Sequence, residues 1–344
     1  MSFQVTSGTQ PNKVGLDTKV YFLGREPDTR LMVWPALGFN CLHWQVERGS
    51  RTLDLLYVDP DQYTVGRPTR SGIPVLFPFP NRIRDGKFVW DGKTYQLPIN
   101  DGNKKNNIHG FACHYPWRVI DQGSNTSECW ITGEFHCSKD AQAELVHWPT
   151  DHCIRLTYRL SASSLRIEAE VINPDTRPMP FGLGYHPYFR IPFVKGESCD
   201  QCNVQVSANR YWELEDNLPT GNQPPVDARR DLNNPRNFKD LLVDDVLCGL
   251  PNSGISPNDL YRAGEITSTG GYTLRMLCSP EFREQVVFTP PHREAVCIEP
   301  YTCVTDAINL QQKGVDAGLM VLNPGDTWKG VVQLDLLSPL QEAL

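Results

Sequence analysis

Several features that mark other classes of protein are missing from this sequence. No apolar run approaches the roughly 20 residues that a membrane-spanning helix needs, and the polar segment 1–12 lacks the apolar centre of a signal peptide. Basic residues are not in excess, because 33 Lys and Arg stand against 40 Asp and Glu, for a net charge of −7. We therefore expect neither a membrane partner nor a nucleic-acid partner, since nothing concentrates positive charge to meet phosphates.

Signals for a metal or cofactor are equally sparse. Cys199 and Cys202 form a Cys-x-x-Cys pair, but a zinc ribbon needs a second such pair at a suitable distance. His109 with His114 and Cys113 could suggest a metal cluster, but no partner segment supplies the further ligands that such a site needs. No Gly-x-Gly-x-x-Gly or P-loop pattern is present. The sequence predicts no metal and no cofactor, and its eleven cysteines, an odd number with no signal peptide before them, predict free thiols in a cytoplasmic location.

Helical periodicity is also scarce. The best candidate is residues 139–147, where Asp140 would cap the helix and Pro149 would end it, and a shorter candidate covers residues 240–243. With so little helical patterning, we expect few and short helices.

Alternation with a period of two residues dominates the chain instead. Apolar residues alternate with polar ones over 154–160, 165–171 and 272–278, and more weakly over 333–337. This is the repeat of half-buried strands, and 26 glycines and 28 prolines supply turns between them. The pattern predicts an all-β antiparallel sandwich. A single domain over residues 1–344 is expected, with the Pro- and Asn-rich segment 221–237 as a surface loop within it.

The stretch 73–117 combines an apolar run with polar residues suited to ligand contact. The run 73–79 is followed by Arg82, and Asp91-Gly92 predicts a tight hairpin between residues 88 and 97. The polar tract that follows ends at His109 beside a glycine. An arginine and a histidine are thus expected near the ends of strands, next to a loop that can admit a ligand.

Five blocks, in order along residues 14–337, resemble those of the aldose 1-epimerase (galactose mutarotase-like) family. They are FPFPNRIRDGKF, DGKTYQLPIND, NNIHGF, GYHPYF at 184–189 and CIEPYTCVTDAINL at 297–310. The resemblance implies a large antiparallel sandwich of twisted sheets, the galactose mutarotase-like supersandwich. It also implies an isomerase that interconverts the α and β anomers of a free hexose without a cofactor.

The resemblance further assigns roles to five residues. Glu299 stands at the position of the family's general base, in a block where residues 301–305 come before Asp306-Ala307. The Gly-Tyr-His-Pro-Tyr-Phe block makes His186 the general acid. Sugar-binding roles fall to Arg82, His109 and Asp244, the last by resemblance of Val-Asp-Asp-Val-Leu to the family's aspartate block. Asp245 stays open as the alternative to Asp244.

The residues alone support plainer interpretations beside these. If Val296 and Ile298 point into a core, Glu299 emerges on the opposite face at a strand end before Pro300, where burial would raise its pKa and make it a proton acceptor. Spacing alone favours the plainer interpretation, a solvated glutamate at the end of the strand. His186 suits proton transfer near neutral pH but could be structural.

Rival functions therefore remain at this point. They are a carbohydrate-binding sandwich without catalysis, a glycoside hydrolase that uses Asp244 and Glu299 as a carboxylate pair, and a mutarotase of a hexose phosphate, for which Arg82, Arg84 and Lys87 are the only nearby cations. The identity of the aldose and the oligomeric state are not given by the sequence.

Overall fold

Strands make up most of the regular structure in the computed structural model, which describes residues 2–102 and 104–339. The first fifteen strands are β1 (Gln4–Thr9), β2 (Lys19–Arg25), β3 (Thr29–Trp34), β4 (Asn40–Arg48), β5 (Arg51–Asp54), β6 (Val75–Leu76), β7 (Arg82–Ile83), β8 (Lys87–Trp90), β9 (Lys93–Gln96), β10 (Asn107–Ile108), β11 (Arg118–Ser124), β12 (Cys129–His136), β13 (Cys153–Leu160), β14 (Ser164–Ile172) and β15 (Met179–Phe181). The remaining strands are β16 (Gly184–Tyr185), β17 (Tyr188–Arg190), β18 (Asn203–Gln205), β19 (Arg210–Tyr211), β20 (Leu214–Glu215), β21 (Leu218–Pro219), β22 (Arg236–Asn237), β23 (Asp244–Cys248), β24 (Tyr261–Thr267), β25 (Thr273–Cys278), β26 (Glu284–Phe288), β27 (Ala295–Tyr301), β28 (Met320–Leu322) and β29 (Thr327–Leu337).

Three large antiparallel sheets organise these strands. One sheet has five strands in the order β1 to β5, and a second has nine in the order β11-β12-β13-β14-β29-β25-β24-β18-β22. The third has seven strands, β19-β23-β26-β27-β16-β6, with β17 also paired to β27. Short two-stranded pairs, β7 with β10 and β8 with β9 among them, complete the structure.

The core lies between the sheets and draws on all three. One cluster of buried apolar side chains includes Leu31 from the five-stranded sheet, Met276 and Leu334 from the nine-stranded sheet, and Val287 and Ile298 from the seven-stranded sheet. Burial of apolar surface from facing sheets is what stabilises a sandwich. The expected all-β sandwich is therefore confirmed.

The strand predictions hold in detail where alternation is strong. In β14, Leu165, Ile167, Ala169 and Val171 are buried while the residues between them are half-exposed. The predicted hairpin is formed by β8 and β9, and Asp91 and Gly92 both adopt positive φ angles, 46° and 71°. A two-residue turn of this kind requires positive φ at both positions.

The helix predictions are wrong in both places. Residues 139–147 do not form one α-helix, because a short helix at Cys137–Asp140 ends where the candidate begins and a 3₁₀ helix follows at Gln142–Val146. Asp140 is the last residue of the first helix, and its carboxylate accepts a hydrogen bond from the backbone N–H of His136. The segment 240–243 is likewise not helical, since a 3₁₀ helix at Phe238–Asp240 ends where it begins.

The remaining α-helices are also short, at Gln62–Val65 and Ala307–Gln312. Among the described residues, no helix has the length and apolar character needed to cross a bilayer. All eleven cysteines are free, as predicted, and Cys199 and Cys202 do not form a disulfide. The segment 221–237 is largely irregular, as predicted; Arg236–Asn237 forms β22, and Pro225 forms a single bridge to Arg210 of β19.

Candidate active site

One side of β27 has two short neighbours with a gap between them. β16 pairs with the end of β27 through Gly184 and Tyr301, while β17 pairs with its start through Tyr188 and Cys297. Pro187 lies in the gap, and proline has no N–H for the ladder. The gap is therefore a short interruption within one continuous antiparallel register.

That register places His186 opposite Glu299. Directly opposed residues of antiparallel strands project from the same face, and His186 Nε2 lies 3.4 Å from Glu299 Oε1. Both residues are buried. The expected strand end at Glu299 is wrong, because β27 continues through Pro300, which stays in register with Gln285 of β26. The interrupted ladder on the other side accommodates the proline.

Tyr301 completes the surroundings of the carboxylate. It lies two residues after Glu299 on the same strand and therefore on the same face. Its hydroxyl donates a hydrogen bond to Glu299 Oε2. The second oxygen, Oε1, faces the imidazole of His186. On its other side that imidazole stacks on Tyr188, with ring centroids 4.7 Å apart and planes 2° from parallel.

The short strands β7 and β10 position Arg82 and His109. Arg82 is the first residue of β7, and His109 directly follows β10. Arg82 pairs with Ile108, and the backbone N–H of His109 donates to the carbonyl of Asn81 at 2.9 Å. His109 adopts φ = 71°, an uncommon left-handed conformation that often marks functional positions. Its ring lies edge-on to His186 with centroids 5.7 Å apart. The loop that the sequence predicted thus brings the second histidine to the first.

Gly110 makes this loop possible. It has φ = 63°, and a Cβ at this position would lie 2.4 Å from the carbonyl oxygen of Phe77. We predict that Gly110→Ala lowers the free energy of unfolding by about 1–3 kcal/mol, because it adds both backbone strain and a clash. Urea unfolding would measure this. Gly92→Ala in the β8–β9 turn is a control with positive φ but open space around the Cβ, and an equal loss in the two variants would rule out the clash.

An ion pair fixes the guanidinium of Arg82. Its Nε donates to Asp101 Oδ2 at 2.7 Å, and its Nη1 donates to Asn81 Oδ1 at 3.2 Å. Asp101 is buried and Arg82 is only partly exposed. The remaining guanidinium donors are therefore held in one orientation at the cavity.

The pairing of β23 separates Asp244 from Asp245. Asp244 is opposite Phe288, which is opposite Cys297, so Asp244 shares the face that carries Glu299. Asp245 projects from the other face, where its Oδ1 accepts from Arg229 at 2.6 Å and from Arg230 at 2.8 Å. Asp244 is thus directed to the cavity, and Asp245 is held by two arginines.

All five residues singled out in the sequence line one cavity of about 130 Å³. Its lining consists of Asn81, Arg82, Ile108, His109, His186, Asp244, Val286, Phe288, Glu299 and Tyr301. Sequence reasoning missed Tyr301 and the apolar wall of Val286 and Phe288. Tyr301 could have been found from its spacing of two residues from Glu299. The wall could not, because it depends on which strand pairs with β27.

Burial dominates the electrostatics of the cavity. It raises the pKa of Glu299 well above its ordinary value, with Asp244 also raising it and Tyr301 and Arg82 opposing. Burial lowers the pKa of His186 to about 3 and lowers that of His109 well below its ordinary value. Burial therefore favours the uncharged forms of the Glu299 carboxyl and the His186 imidazole.

Comparison of the sequence with protein-family models supports the resemblance that the five sequence blocks indicated. The family model described as aldose 1-epimerase matches residues 26–335. The chain is 27% identical over 255 residues to an uncharacterised Escherichia coli protein, YihR. The alignment covers 73% of this chain and 74% of YihR. It is 29% identical over 154 residues to the galactose mutarotase of Rattus norvegicus, covering 43% of this chain and 41% of the relative.

Solved structures share the fold across nearly the whole chain. A galactose mutarotase-like protein from Clostridium acetobutylicum superposes with a TM-score of 0.86 at 24% identity, covering 98% of this chain and 99% of that one. The galactose 1-epimerase of Lactobacillus acidophilus superposes with a TM-score of 0.75 at 17% identity, covering 98% and 99%. At these identities the likeness establishes the fold.

Proposed function

This chain belongs to the aldose 1-epimerase family, and from that premise we propose that it interconverts the α and β anomers of a free hexose by acid–base opening and closure of the ring. The observation that supports the proposal most is the contact of 3.4 Å between His186 Nε2 and Glu299 Oε1, inside a cavity that Arg82, His109 and Asp244 also line. An acid and a base in contact at one small cavity suit a substrate that exchanges protons at two neighbouring oxygens.

In the proposed mechanism, Glu299 removes the proton of the C1 hydroxyl and His186 protonates the ring oxygen. The C1–O bond to the ring breaks, the C1–C2 bond rotates, and the aldehyde closes again from its other face with the two roles reversed. Atoms and electrons balance without any oxidant or reductant. The mechanism therefore needs only the two side chains, and each positioned group contributes about 10²–10⁴-fold in rate.

The resting pair reaches its reactive form by moving one proton. Burial places that proton on Glu299, and its transfer across the contact to His186 yields the carboxylate base and the imidazolium acid together. The Tyr301 hydroxyl and the Arg82 guanidinium stabilise the carboxylate, since both lower the pKa of Glu299. We propose that Tyr301 is a positioning residue for the base.

This shared proton predicts a wide plateau in the pH profile. The reactive pair carries one proton, so activity is lost as pH falls through the lowered pKa of His186, about 3, and as pH rises through the raised pKa of Glu299. The profile of kcat/KM, measured by polarimetry after subtraction of the uncatalysed rate, should extend beyond the window between the ordinary values of 4.5 and 6.5 on both sides. A bell-shaped profile of kcat/KM confined to the range between pH 4.5 and 6.5 would contradict the shared-proton mechanism.

Asp244 should act on sugar binding. We predict that Asp244→Asn raises KM by about 10- to 100-fold, because a charged acceptor for sugar hydroxyls is lost, with a smaller effect on kcat. Initial rates over a range of sugar concentrations would measure both constants. Asp245→Asn is the matched control: it removes a partner of Arg229 and Arg230 on the other face, so it should lower stability and leave KM unchanged. A higher KM in the Asp245 variant alone would reverse the assignment.

The charge of the cavity favours a free sugar over a sugar phosphate. Among the described residues that line it, Arg82 is the only Lys or Arg, and its Nε is already engaged by Asp101. Arg84 contacts the buried Asp306 at 3.7 Å. Recognition of a phosphate group needs several convergent donors. Comparison of glucose, galactose and their 6-phosphates as substrates tests this, and we expect the free sugars to have the higher kcat/KM.

A further inference from the structure

Cys297 lies beside the proposed acid–base pair and has no part in the proposed mechanism. It is two residues before Glu299 on β27, so the two side chains share a face. Tyr188 and Phe288 oppose it on the neighbouring strands. Its thiol, an imidazole nitrogen of His186 and a carboxylate oxygen of Glu299 lie within 4.8 Å of one another, and all three residues are buried. A sulfur, a nitrogen and an oxygen donor thus converge beside the cavity, which His186 and Glu299 line.

This set of donors matches a zinc-class cation. Zn²⁺ binds thiolate, imidazole and carboxylate at about 2.0–2.3 Å, so tetrahedral ligand atoms stand about 3.5 Å apart. The His186–Glu299 contact already has that length at 3.4 Å. From a separation of at most 4.8 Å, the sulfur needs to approach by at most about 1.3 Å to complete the set. His186 and Glu299 line the open cavity, which leaves a fourth position for water.

A second cluster has the same types of donor, but its donors are already engaged by other side chains. Glu134, His136 and Cys153 also lie within 4.8 Å of one another. The two oxygens of Glu134 accept from Arg118 at 2.7 Å and Arg155 at 2.8 Å, and His136 Nε2 lies 2.8 Å from Asp151. A cation there would have to displace two guanidinium groups.

No such competitor meets the donors at the cavity. The His186 Nδ1 atom is buried without a hydrogen-bond partner, and Glu299 is engaged by the neutral Tyr301 hydroxyl and by His186. Neither residue is held by a Lys or Arg in an ion pair among the residues that the structure describes. The two clusters therefore differ in availability although they share donor types.

We propose that His186, Cys297 and Glu299 form a binding site for one thiophilic divalent cation of the zinc class, and that the ion excludes the sugar. On binding, the Cys297 thiol and the protonated Glu299–His186 pair release their protons to solvent, and the three lone pairs bind the metal. Affinity should therefore rise with pH. The binding part stands on the donor geometry alone. The exclusion of sugar rests on the proposed function, because the ion occupies the acid and the base.

Cobalt provides a direct test of binding. Co²⁺ is added to the chelator-treated protein in a Cys199→Ser background, which removes the half-exposed thiol, and the thiolate-to-cobalt absorption in the near ultraviolet is recorded. We expect one equivalent to produce the band and Zn²⁺ to abolish it. The band should be absent in Cys297→Ser or Cys297→Ala and unchanged in Cys153→Ser. No band in the parent protein, or a band that survives either Cys297 substitution, overturns the site.

Anomer exchange tests the second part separately. Zn²⁺ should inhibit exchange competitively with the sugar. With inhibition in each variant measured against its own rate without Zn²⁺, the inhibition constant of Cys297→Ser should be at least tenfold higher than that of the parent protein. The inhibition constant of Cys153→Ser should equal that of the parent. Equal inhibition of both variants overturns the assignment of Cys297. If the parent protein shows no exchange at all, the proposed function fails and the cobalt band still decides the metal site.

Discussion

Replacement of Glu299 by Gln should slow anomer exchange by about 10²–10⁴-fold. The amide keeps the shape of the side chain and cannot accept the C1 hydroxyl proton, so the loss should fall on kcat rather than on sugar binding. Polarimetry of freshly dissolved α-glucose or α-galactose measures the rate, and sugar titration by NMR measures binding in the same sample.

Glu284 offers a matched control for that substitution. It is a buried glutamate on the adjacent strand β26, with Oε2 accepting from the indole of Trp212 at 2.9 Å, and burial raises its pKa to about 8. It does not line the cavity. Because burial favours the uncharged carboxyl even with Arg283 Nε 3.5 Å from Oε1, Glu284→Gln should fold and turn over like the parent. If the Glu299→Gln variant exchanges anomers as fast as the parent protein, Glu299 is not the base.

Replacement of His186 by Asn should have an effect of similar size, about 10²–10⁴-fold on kcat. The imidazole is the proposed proton donor to the ring oxygen, and asparagine cannot carry that proton. In the proposed mechanism the two residues share one proton across their 3.4 Å contact, so the double variant with Glu299→Gln should be little slower than either single variant.

The double variant therefore tests whether the residues act as a unit. Fully multiplicative losses would mean that they act independently and would contradict the shared proton. His292→Asn is the control histidine, since its ring stacks on Tyr57 with centroids 4.4 Å apart and lies outside the residues that line the cavity. It should retain the parental rate.

The sequence predicted most reliably what short-range patterns determine. Alternation in β13 and β14 and the Asp91-Gly92 turn depend on neighbours within a few residues, and these predictions are confirmed. The helix at 139–147 failed because apolar spacing in a short segment says little about how it packs. The sharp turn after Asp140, where Ala141 leaves helical backbone angles, breaks the segment into two.

The arrangement of the site depends on long-range pairing that no local pattern reveals. His186 and Glu299 are more than a hundred residues apart, and only the register of β16 and β17 on β27 brings them face to face. The choice between Asp244 and Asp245 is similar, because a shift of one residue in the pairing of β23 would exchange their faces. The resemblance to the family identified the five residues, and the pairing of the strands explains why they lie at one cavity.

The sequence also left open whether the Glu299 carboxyl is buried or solvated. Glu299 precedes a proline, and this suggested a strand end at which the carboxylate is either partly buried or solvated. The strand instead continues to Tyr301 within the sheet, and the carboxyl is buried. This burial raises the pKa of Glu299 and lowers that of His186, and the proposed mechanism depends on both shifts.

Exchange NMR on an equilibrated aldose tests the central claim most directly, because it detects exchange between α and β anomers and binding in one sample. With the parent protein, we predict exchange cross-peaks between the two C1 protons that exceed the uncatalysed rate and that vanish in Glu299→Gln while the sugar still binds. Binding of the sugar by the parent protein without any added exchange would contradict the account and would identify a carbohydrate-binding protein instead.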